Sequence, residues 1–476
     1  MFQRRLFPPI ALWLLAVTGA CRQPARENEV DIAALLPHLA AAVGPAQQLA
    51  ALDRLSMLHP ESDPGISDEL VAAVEAELYA TDPAVAAKAG ALLSQWGDRR
   101  AAAGLVRLVE HPDPMIRLSA ATSLTALADP SVAEALLRAT QDVDAGVRAE
   151  ACAGLATLHV PAARGTLRSH LADADACVRA AAAQGLGIVG GLDDVPDLVA
   201  RLEDTDPGVV NAAAHALGGL GDSRALAPLI ALLGGSTQAG RCAAAAGLAQ
   251  LRNRAALEPL VAQLADTDVS LRVCLLNALA ELGDDTAVPA VLRVASESNP
   301  LLMSRMPFVL ARLYSPSDYE TFVARLDDDS AEVRAAVSLA LGLAEERRAL
   351  EALRRALTDI DPRVRAGSVV ALGLISDDDG ATLRSLAEHD SDPQTRAAAG
   401  FAVTLATTRA TDIVRRLLGS LEDPDPLVRR NGAETLGLLR RPQTTAVLQR
   451  LAQRDPDADV RAAATLSVLR IGNPDA

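Results

Sequence analysis

A 31-residue periodicity constrains the fold of this chain more than any other feature of its sequence. A small polar residue recurs with an arginine four positions later, as in Asp113 with Arg117 and Asp361 with Arg365. Successive polar residues, which we call anchors, are 31 residues apart ten times and then 33 and 32 apart. A fixed period of this length is typical of solenoids of stacked supersecondary units. We name each repeat by its anchor, and these are Asp82, Asp113, Asp144, Asp175, Asp206, Thr237, Asp268, Asn299, Ser330, Asp361, Asp392, Asp425 and Asp457.

The positions within each repeat indicate a pair of helices. Every anchor is Asp, Asn, Ser or Thr, whose side-chain oxygen can cap the free N–H groups of a first helical turn. Proline follows seven anchors, which suits the first helical position. The eleventh residue after the anchor, written +11, is Leu in eleven repeats and Val in two. Because +3, +7 and +11 share one helical face, they predict the core-facing side of this capped helix. A second amphipathic helix follows, for example over 224–233.

Composition and sequence pattern together indicate the fold class. Half of the chain is hydrophobic but only 2% is aromatic, so Ala, Leu and Val dominate, and no sheet is expected. The pattern Asp-Pro-x-Val-Arg-x-Ala-Ala-x-x-Leu-Gly-x-Leu-Gly-Asp, clearest over 206–235, resembles the HEAT-like repeat first associated with phycobilisome lyases. That resemblance implies an all-α superhelix, an α-solenoid of about 13 stacked two-helix repeats. We expect it to span 81–476, preceded by degenerate capping repeats over 31–80.

The N-terminus has the features of an export signal. Arg4 and Arg5 precede a short apolar run at 10–17, which is too short to span a bilayer and predicts a signal peptide. Thr18-Gly-Ala-Cys21 resembles the lipobox of bacterial lipoproteins, which implies lipidation of Cys21. The alternative is ordinary secretion with cleavage beside a chance cysteine. The sequence thus predicts a lipoprotein signal peptide over 1–20 and a short polar tether over 21–30. The residue after Cys21 is Arg22, and by resemblance to the sorting of enterobacterial lipoproteins it favours a location in the outer membrane, facing the periplasm.

The charge of the chain excludes two classes of partner. The formal net charge is −16, and neither a basic stripe nor a set of stacking aromatics is visible. Nucleic-acid binding normally needs both, so no nucleic-acid partner is expected. The same charge opposes docking on anionic lipid. Membrane attachment is therefore expected through the lipid anchor only.

Catalytic and metal-binding motifs are missing from the sequence. It contains no HExxH, no Walker-type Gly-Lys-Ser/Thr and no Gly-x-Ser-x-Gly. Deoxyhypusine hydroxylase, a HEAT-like protein similar in fold, holds iron through His-Glu dyads, but no histidine here is followed by Glu. We therefore expect no catalytic residues, no metal and no cofactor. The rival hypothesis is a phycobilin-lyase-like or other HEAT-repeat enzyme that acts on a protein substrate.

The recurring Asp/Arg series and the cysteines are interpreted as structural. Each Asp should cap its helix and each Arg should pair with a nearby carboxylate along the stack. Equivalent positions on stacked repeats are expected roughly 9–10 Å apart, whereas a disulfide needs Cα atoms about 5–6 Å apart. We therefore expect free thiols at Cys152, Cys177, Cys242 and Cys274.

One row of positions is a candidate binding surface. Position +9 points almost opposite the +3/+7/+11 face, and by resemblance to HEAT proteins the capped helix lines the concave surface. Four consecutive repeats place large apolar residues there, namely Phe308, Leu339, Val370 and Phe401. Such a groove suits a partner helix or peptide. The sequence thus favours a non-enzymatic protein-interaction scaffold with a protein or peptide partner.

Repeat 299 departs furthest from the consensus. Pro307 lies inside its capped helix and should kink or break it. Tyr314 and Tyr319 in the same repeat are further candidates for partner binding, because aromatic residues are enriched in interface hot spots. The alternative is that the kinked repeat turns its aromatic residues inward to fill its own core.

Overall fold

The computed structural model describes residues 32–39, 44–58, 66–297, 299–375, 380–409 and 444–472, with single residues between 410 and 443. These residues form helices and short 3-10 turns, and none of them lies in a strand. The predicted signal peptide, Cys21 and tether lie outside the described residues. By its internal contacts the chain divides into two compact bodies, Met1–Leu220 and Gly221–Ala476.

The N-terminal body consists of paired helices. Before the first anchor it contains Ile32–Leu35, the 3-10 turn Leu36–Leu39, Pro45–Leu55 and Asp68–Glu77. Its capped helices are Pro83–Gln95, Pro114–Ala126, Ala145–Thr157, Ala176–Val189 and Pro207–Leu220. The second helices are Ala101–Leu108, Ala133–Ala139, Arg164–His170 and Val195–Arg201. A 3-10 turn leads into the last three of these, at Pro130–Val132, Pro161–Ala163 and Leu192–Asp194.

The C-terminal body repeats this arrangement. Its capped helices are Gln238–Leu251, Val269–Leu282, Ala331–Leu343, Pro362–Ile375, Pro393–Arg409 and Ala458–Gly472, with a divided one in repeat 299. The second helices are Leu226–Leu233, Leu257–Gln263, Val288–Ala295, Tyr319–Ala324, Leu350–Ala356, Gly380–His389 and Thr445–Arg454. Short 3-10 turns lie at Ser223–Ala225, Arg254–Ala256, Asp285–Ala287, Pro316–Asp318, Arg325–Asp327 and Arg347–Ala349. The all-α solenoid predicted from the periodicity is confirmed.

The anchors cap their helices as predicted. Asp144 accepts a hydrogen bond from the N–H of Val147 at 3.1 Å, and Ser330 accepts one from Val333 at 3.3 Å. The +11 leucines, about three turns further along each helix, are fully buried wherever the structure describes them. Each capped helix therefore begins at its anchor and directs its +3/+7/+11 face into the core.

Pro307 divides the capped helix of repeat 299, as expected. The helix Pro300–Met303 ends before Ser304, and a new helix, Met306–Leu313, carries Pro307 in its first turn. Proline is tolerated there because the N–H that it lacks would have no partner inside the helix. The break separates the N-terminal turn of this repeat from the segment that carries Phe308.

The prediction of four free thiols is wrong for one pair. Cys242 and Cys274, on adjacent capped helices, form a disulfide with their Cα atoms 5.5 Å apart. The expected spacing was a distance between helix axes, and each Cα lies about 2.3 Å from its own axis toward the neighbour. Facing Cα atoms on helices about 9–10 Å apart can therefore come within about 5 Å of each other. Cys152 and Cys177 are free, the first buried and the second exposed.

Candidate binding surface

The arginine at +4 fastens each repeat to the next. Arg117 donates from Nε and Nη2 to the two carboxylate oxygens of Asp142, both at 2.7 Å. Its Nη1 donates to the carbonyls of His111 and Pro112 at 2.8 Å, so one guanidinium joins two successive turns. The same ion pair recurs as Arg148–Asp173, Arg179–Asp204, Arg241–Asp266, Arg272–Glu297, Arg334–Asp359, Arg365–Asp390 and Arg429–Asp455. The structural interpretation of the Asp/Arg series is confirmed.

These ion pairs also stabilise the charged form of the aspartates. The hydrogen bond from Arg148 lowers the pKa of Asp173 below its usual value, against the opposing effect of partial burial. Asp173 in turn accepts the backbone N–H of Asp175 at 2.9 Å, which adds to the same effect. Both groups are mostly covered by the stack, so this charged series offers little surface to a ligand.

The +9 residues face outward, as predicted. Where the structure describes their exposure, none of them is buried. Phe308 is 38% exposed, and Leu339, Val370 and Phe401 are each partly exposed. The four lie on successive capped helices of the C-terminal body, and we call them the apolar row. Each of these side chains is thus supported by its own repeat while part of its surface remains open to a partner.

Two leucines widen the apolar row and were missed by considering +9 alone. Leu343 and Leu374 occupy position +13 of repeats 330 and 361 and are partly exposed. Each lies four residues after a member of the row, at Leu339 or Val370, and therefore on the same helical face. The i, i+4 spacing in the sequence was the signal that could have identified them.

Glycines at +12 let the helices beneath the apolar row pack closely. A Cβ atom added at Gly373 would lie 2.8 Å from Cα of Ala402 on the next capped helix. One added at Gly342 would collide with the backbone of Ala371. Direct backbone-to-backbone packing leaves no gap between neighbouring helices. The three capped helices that carry Leu339, Val370 and Phe401 are therefore closely packed against one another.

The structure does not bring Tyr314 and Tyr319 to the apolar row. Tyr314 follows the helix Met306–Leu313 and Tyr319 begins the second helix of repeat 299, and both contact the corresponding turn of repeat 330. The hydroxyl of Tyr314 donates to Glu346, and its ring packs edge-on against buried Phe322 with centroids 5.0 Å apart. The ring of Tyr319 lies 4.3 Å from the Arg348 guanidinium carbon. These aromatics join consecutive repeats, and Phe308 alone among them faces the row.

Electrostatics at this junction follow from those contacts. Hydrogen bonds from Arg348 and Tyr314 lower the pKa of Glu346 to about 2, the arginine having the larger effect. Burial and the neighbouring carboxylate raise the pKa of Tyr314 above its usual value. Both groups therefore keep fixed charge states at neutral pH. A proton-transfer role has no support in this arrangement.

The N-terminal body has a cleft on its capped helices. It lies between Ala176–Val189 and Pro207–Leu220 and has a volume of about 600 Å³. Gln184, Asn211 and His215 line it together with the exposed thiol of Cys177. Cys152 lies buried in the preceding repeat, where burial raises the pKa of its thiol to about 12. Small or apolar residues, among them Ala180, Ala212 and Ile188, form most of the remaining lining of this cleft.

Two further observations concern metals and membranes. In the part of the chain that the structure describes, no three His, Cys, Asp or Glu side chains are grouped so that they could hold a metal ion. None of the helices described is both long and apolar enough to cross a bilayer.

The fold and the apolar row define a helical-repeat protein whose capped helices present their +9 side chains to solvent. The pattern of HEAT repeats matches residues 70–156, 138–218, 167–239, 226–305, 319–404 and 381–469. The chain therefore belongs to the HEAT-repeat family. No curated protein matches it in sequence.

Solved structures with a similar fold are other solenoids. Importin beta is 13% identical with a TM-score of 0.52, and the match covers 92% of this chain and 73% of importin beta. Kap95 in its complex with Nup1 is 12% identical with a TM-score of 0.54, covering 92% of this chain and 72% of Kap95. The CpcE–CpcF phycocyanin lyase of Nostoc is 22% identical with a TM-score of 0.34, covering 51% of this chain and 94% of the other. At these identities the likeness to importin beta and Kap95 shows the fold alone.

Proposed function

We propose that this protein is a non-enzymatic scaffold that binds a protein partner along the apolar row of its C-terminal body. The observation that carries the proposal is the run of Phe308, Leu339, Val370 and Phe401, which present apolar surface on four successive helices. Contiguous exposed apolar surface on a folded protein commonly marks a site of protein interaction. Among solenoids of similar fold, Kap95 and Kap121p have been solved with the protein partners Nup1 and the SUMO protease Ulp1p.

The chemistry of the surroundings agrees with a scaffold role. The arginines and aspartates at the ends of the helices are used to join repeats, as in the Arg334–Asp359 pair at 2.8 Å. Affinity would then come from apolar burial and shape complementarity, while the net charge of −16 disfavours acidic nucleic acid and anionic lipid.

The test is capture of the partner in cells by the tagged protein, with crosslinking and mass spectrometry. The variant Phe308→Ser/Phe401→Ser should lose the crosslinked partner while its helicity, measured by circular dichroism, is unchanged. Ile360→Ser is the matched control, because Ile360 is 92% exposed in the same body but lies in a turn outside the row. Equal recovery of the partner with the double variant and the control would contradict the assignment of the row.

The scaffold is further proposed to be anchored in the cell envelope through a lipidated Cys21, facing the periplasm. The Cys242–Cys274 disulfide supports this location, since such bonds persist in oxidising compartments and are rare in the cytosol. Cells fed an alkyne-labelled fatty acid should incorporate the label into the wild-type protein and not into Cys21→Ser. Label that persists in Cys21→Ser, or a wild-type protein that carries none, would refute the anchor.

A further inference from the structure

The apolar row ends at repeat 299 between two exposed arginines. Arg305 precedes Phe308 by three residues and Arg312 follows it by four, so the three side chains share one face of the helix. Leu301, which is 65% exposed, lies in the short helix that precedes the break. Among the residues that the structure describes, neither guanidinium forms an ion pair or a hydrogen bond. The end of the row is thus both apolar and positively charged.

This basic pair is unusual for the layer of capped helices. Arg305 and Arg312 occupy positions +6 and +13. In repeats 237, 268, 330, 361 and 392 these positions hold small, apolar, uncharged polar or acidic side chains, such as Ala336, Leu343 and Glu281. Elsewhere in the body the Arg334 and Arg365 guanidiniums are committed to aspartates. Two uncompensated positive charges in a chain of net charge −16 therefore mark one end of the row.

The spacing of the row favours a helical partner over an extended one. Neighbouring helices pack about 8–10 Å apart, and at the upper end of that range each step along the row corresponds to nearly seven residues of helix or about three of strand. Two helical turns, about seven residues, bring a partner's side chains back to one face. In a strand, residues three apart point to opposite sides, so alternate steps would meet no side chain. A helix crossing four repeats would need about 20 residues.

We infer that the row receives an amphipathic helix of a partner protein, with its apolar face on Leu339, Val370 and Phe401. Carboxylates at one end of that helix lie over repeat 299, between Arg305 and Arg312. This inference rests on the proposed function. It adds that the partner segment is helical, that one of its ends is acidic, and that it lies along the row in a defined direction. Charge pairing at the end of an apolar contact sets the direction in which the helix lies.

Synthetic helical peptides test this inference directly. The probe has about 21 residues, a leucine face repeated every two turns, and three glutamates at one end. Matched peptides carry three lysines or three glutamines at the same positions. Binding to the full-length protein is measured by fluorescence anisotropy at low and at physiological salt. The glutamate peptide should bind about tenfold tighter than the lysine peptide, with a smaller difference at the higher salt.

Two charge-reversed variants sharpen the test. Arg305→Glu/Arg312→Glu should invert the preference, so that the lysine peptide binds more tightly. Arg325→Glu/Arg355→Glu is the control, because it changes the net charge equally on two exposed residues outside the row. A control that behaves like wild type locates the effect at repeat 299. A control that also inverts the preference would overturn the inference, since overall charge would then explain it.

The remaining outcomes separate the inference from the proposed function. Equal binding of all three peptides would overturn the inference that the partner is an acidic helix, and would leave the row intact as a site. The same conclusion would follow if no peptide bound while capture in cells still depended on Phe308 and Phe401. Peptide binding that Phe308→Ser/Phe401→Ser leaves unchanged would instead overturn the row itself. A concentration-dependent dimer that Arg305→Glu/Arg312→Glu dissociates would identify a second copy of this chain as the occupant and overturn the inference.

Discussion

Arg334 and Asp359 form a two-pronged ion pair between the capped helix of repeat 330 and the turn that leads into repeat 361, with Nε 2.8 Å from Oδ2 and Nη2 2.9 Å from Oδ1. Nη1 of the same arginine donates to the carbonyls of Asp328 and Asp329 at 2.8 and 3.3 Å. One side chain thus holds its own turn and the turn of the next repeat. Recurrence of this unit within each body explains how small helical pairs stack on one another.

Removal of this arginine should destabilise the fold. Arg334→Ala leaves a mostly buried carboxylate and two carbonyls without their donors, which should cost about 1–3 kcal/mol of unfolding free energy. Arg325→Ala, which removes a half-exposed arginine paired with Asp328, should cost less than about 1 kcal/mol. Urea denaturation followed by circular dichroism measures both. Equal costs for the two variants would contradict the role of the inter-repeat pair.

The stack should lose stability in acid. Arginine hydrogen bonds lower the native pKa values of Asp173, Asp204, Asp359, Asp390 and Asp455. A carboxyl group whose pKa is lower in the native state contributes stability above its unfolded pKa, near about 3.9, and that contribution is lost as pH falls through the native value.

The melting temperature should therefore fall steadily as pH drops below about 5. Asp359→Asn should be less stable at neutral pH and show a shallower acid dependence, because one of the contributing carboxylates is absent. Thermal melts between neutral and strongly acidic pH check this. A wild-type melting temperature that rises on acidification would contradict the sign.

Close packing beneath the apolar row should be intolerant of one added methyl group. Gly342→Ala places a Cβ against the backbone of Ala371, which cannot move aside as a flexible side chain could. We expect a loss of about 1–3 kcal/mol. Gly165→Ala, at a helical glycine with open space around it, should instead be neutral or stabilising by up to about 1 kcal/mol. Chemical denaturation of the pair tests the opposite signs.

The disulfide should stabilise the C-terminal body. Cys242 and Cys274 are 32 residues apart, and closing a loop of that size contributes about 3 kcal/mol. Cys242→Ser should lower the melting temperature, and a reductant should lower that of the wild type similarly. Cys177→Ser, which replaces an exposed free thiol, is the control and should have little effect. Insensitivity of the wild type to reductant would show that the bond does not form in solution.

Much of the candidate site followed from the periodicity. Position +9 was expected to face outward from helical geometry alone, and Phe308, Leu339, Val370 and Phe401 do so. The direction of a side chain on a regular helix depends only on its place in the 3.6-residue turn. The roles of Tyr314 and Tyr319 could not be predicted in this way, because they lie at helix ends and their directions depend on contacts with Glu346 and Arg348 in the next repeat.

By itself the sequence determined the helical pairs, their 31-residue step, the capping anchors and the buried +11 leucines. These features are local, since capping and helical faces involve residues within about one to three turns of each other. Tertiary structure alone decided that Cys242 meets Cys274, that Gly342 contacts Ala371, and that Arg305 and Arg312 remain unpaired among the described residues. Each of these contacts, or its absence, depends on the distance between the backbones of different repeats. A change of a few ångströms in that distance would make or remove the contact, and the spacing of residues in the sequence does not specify it.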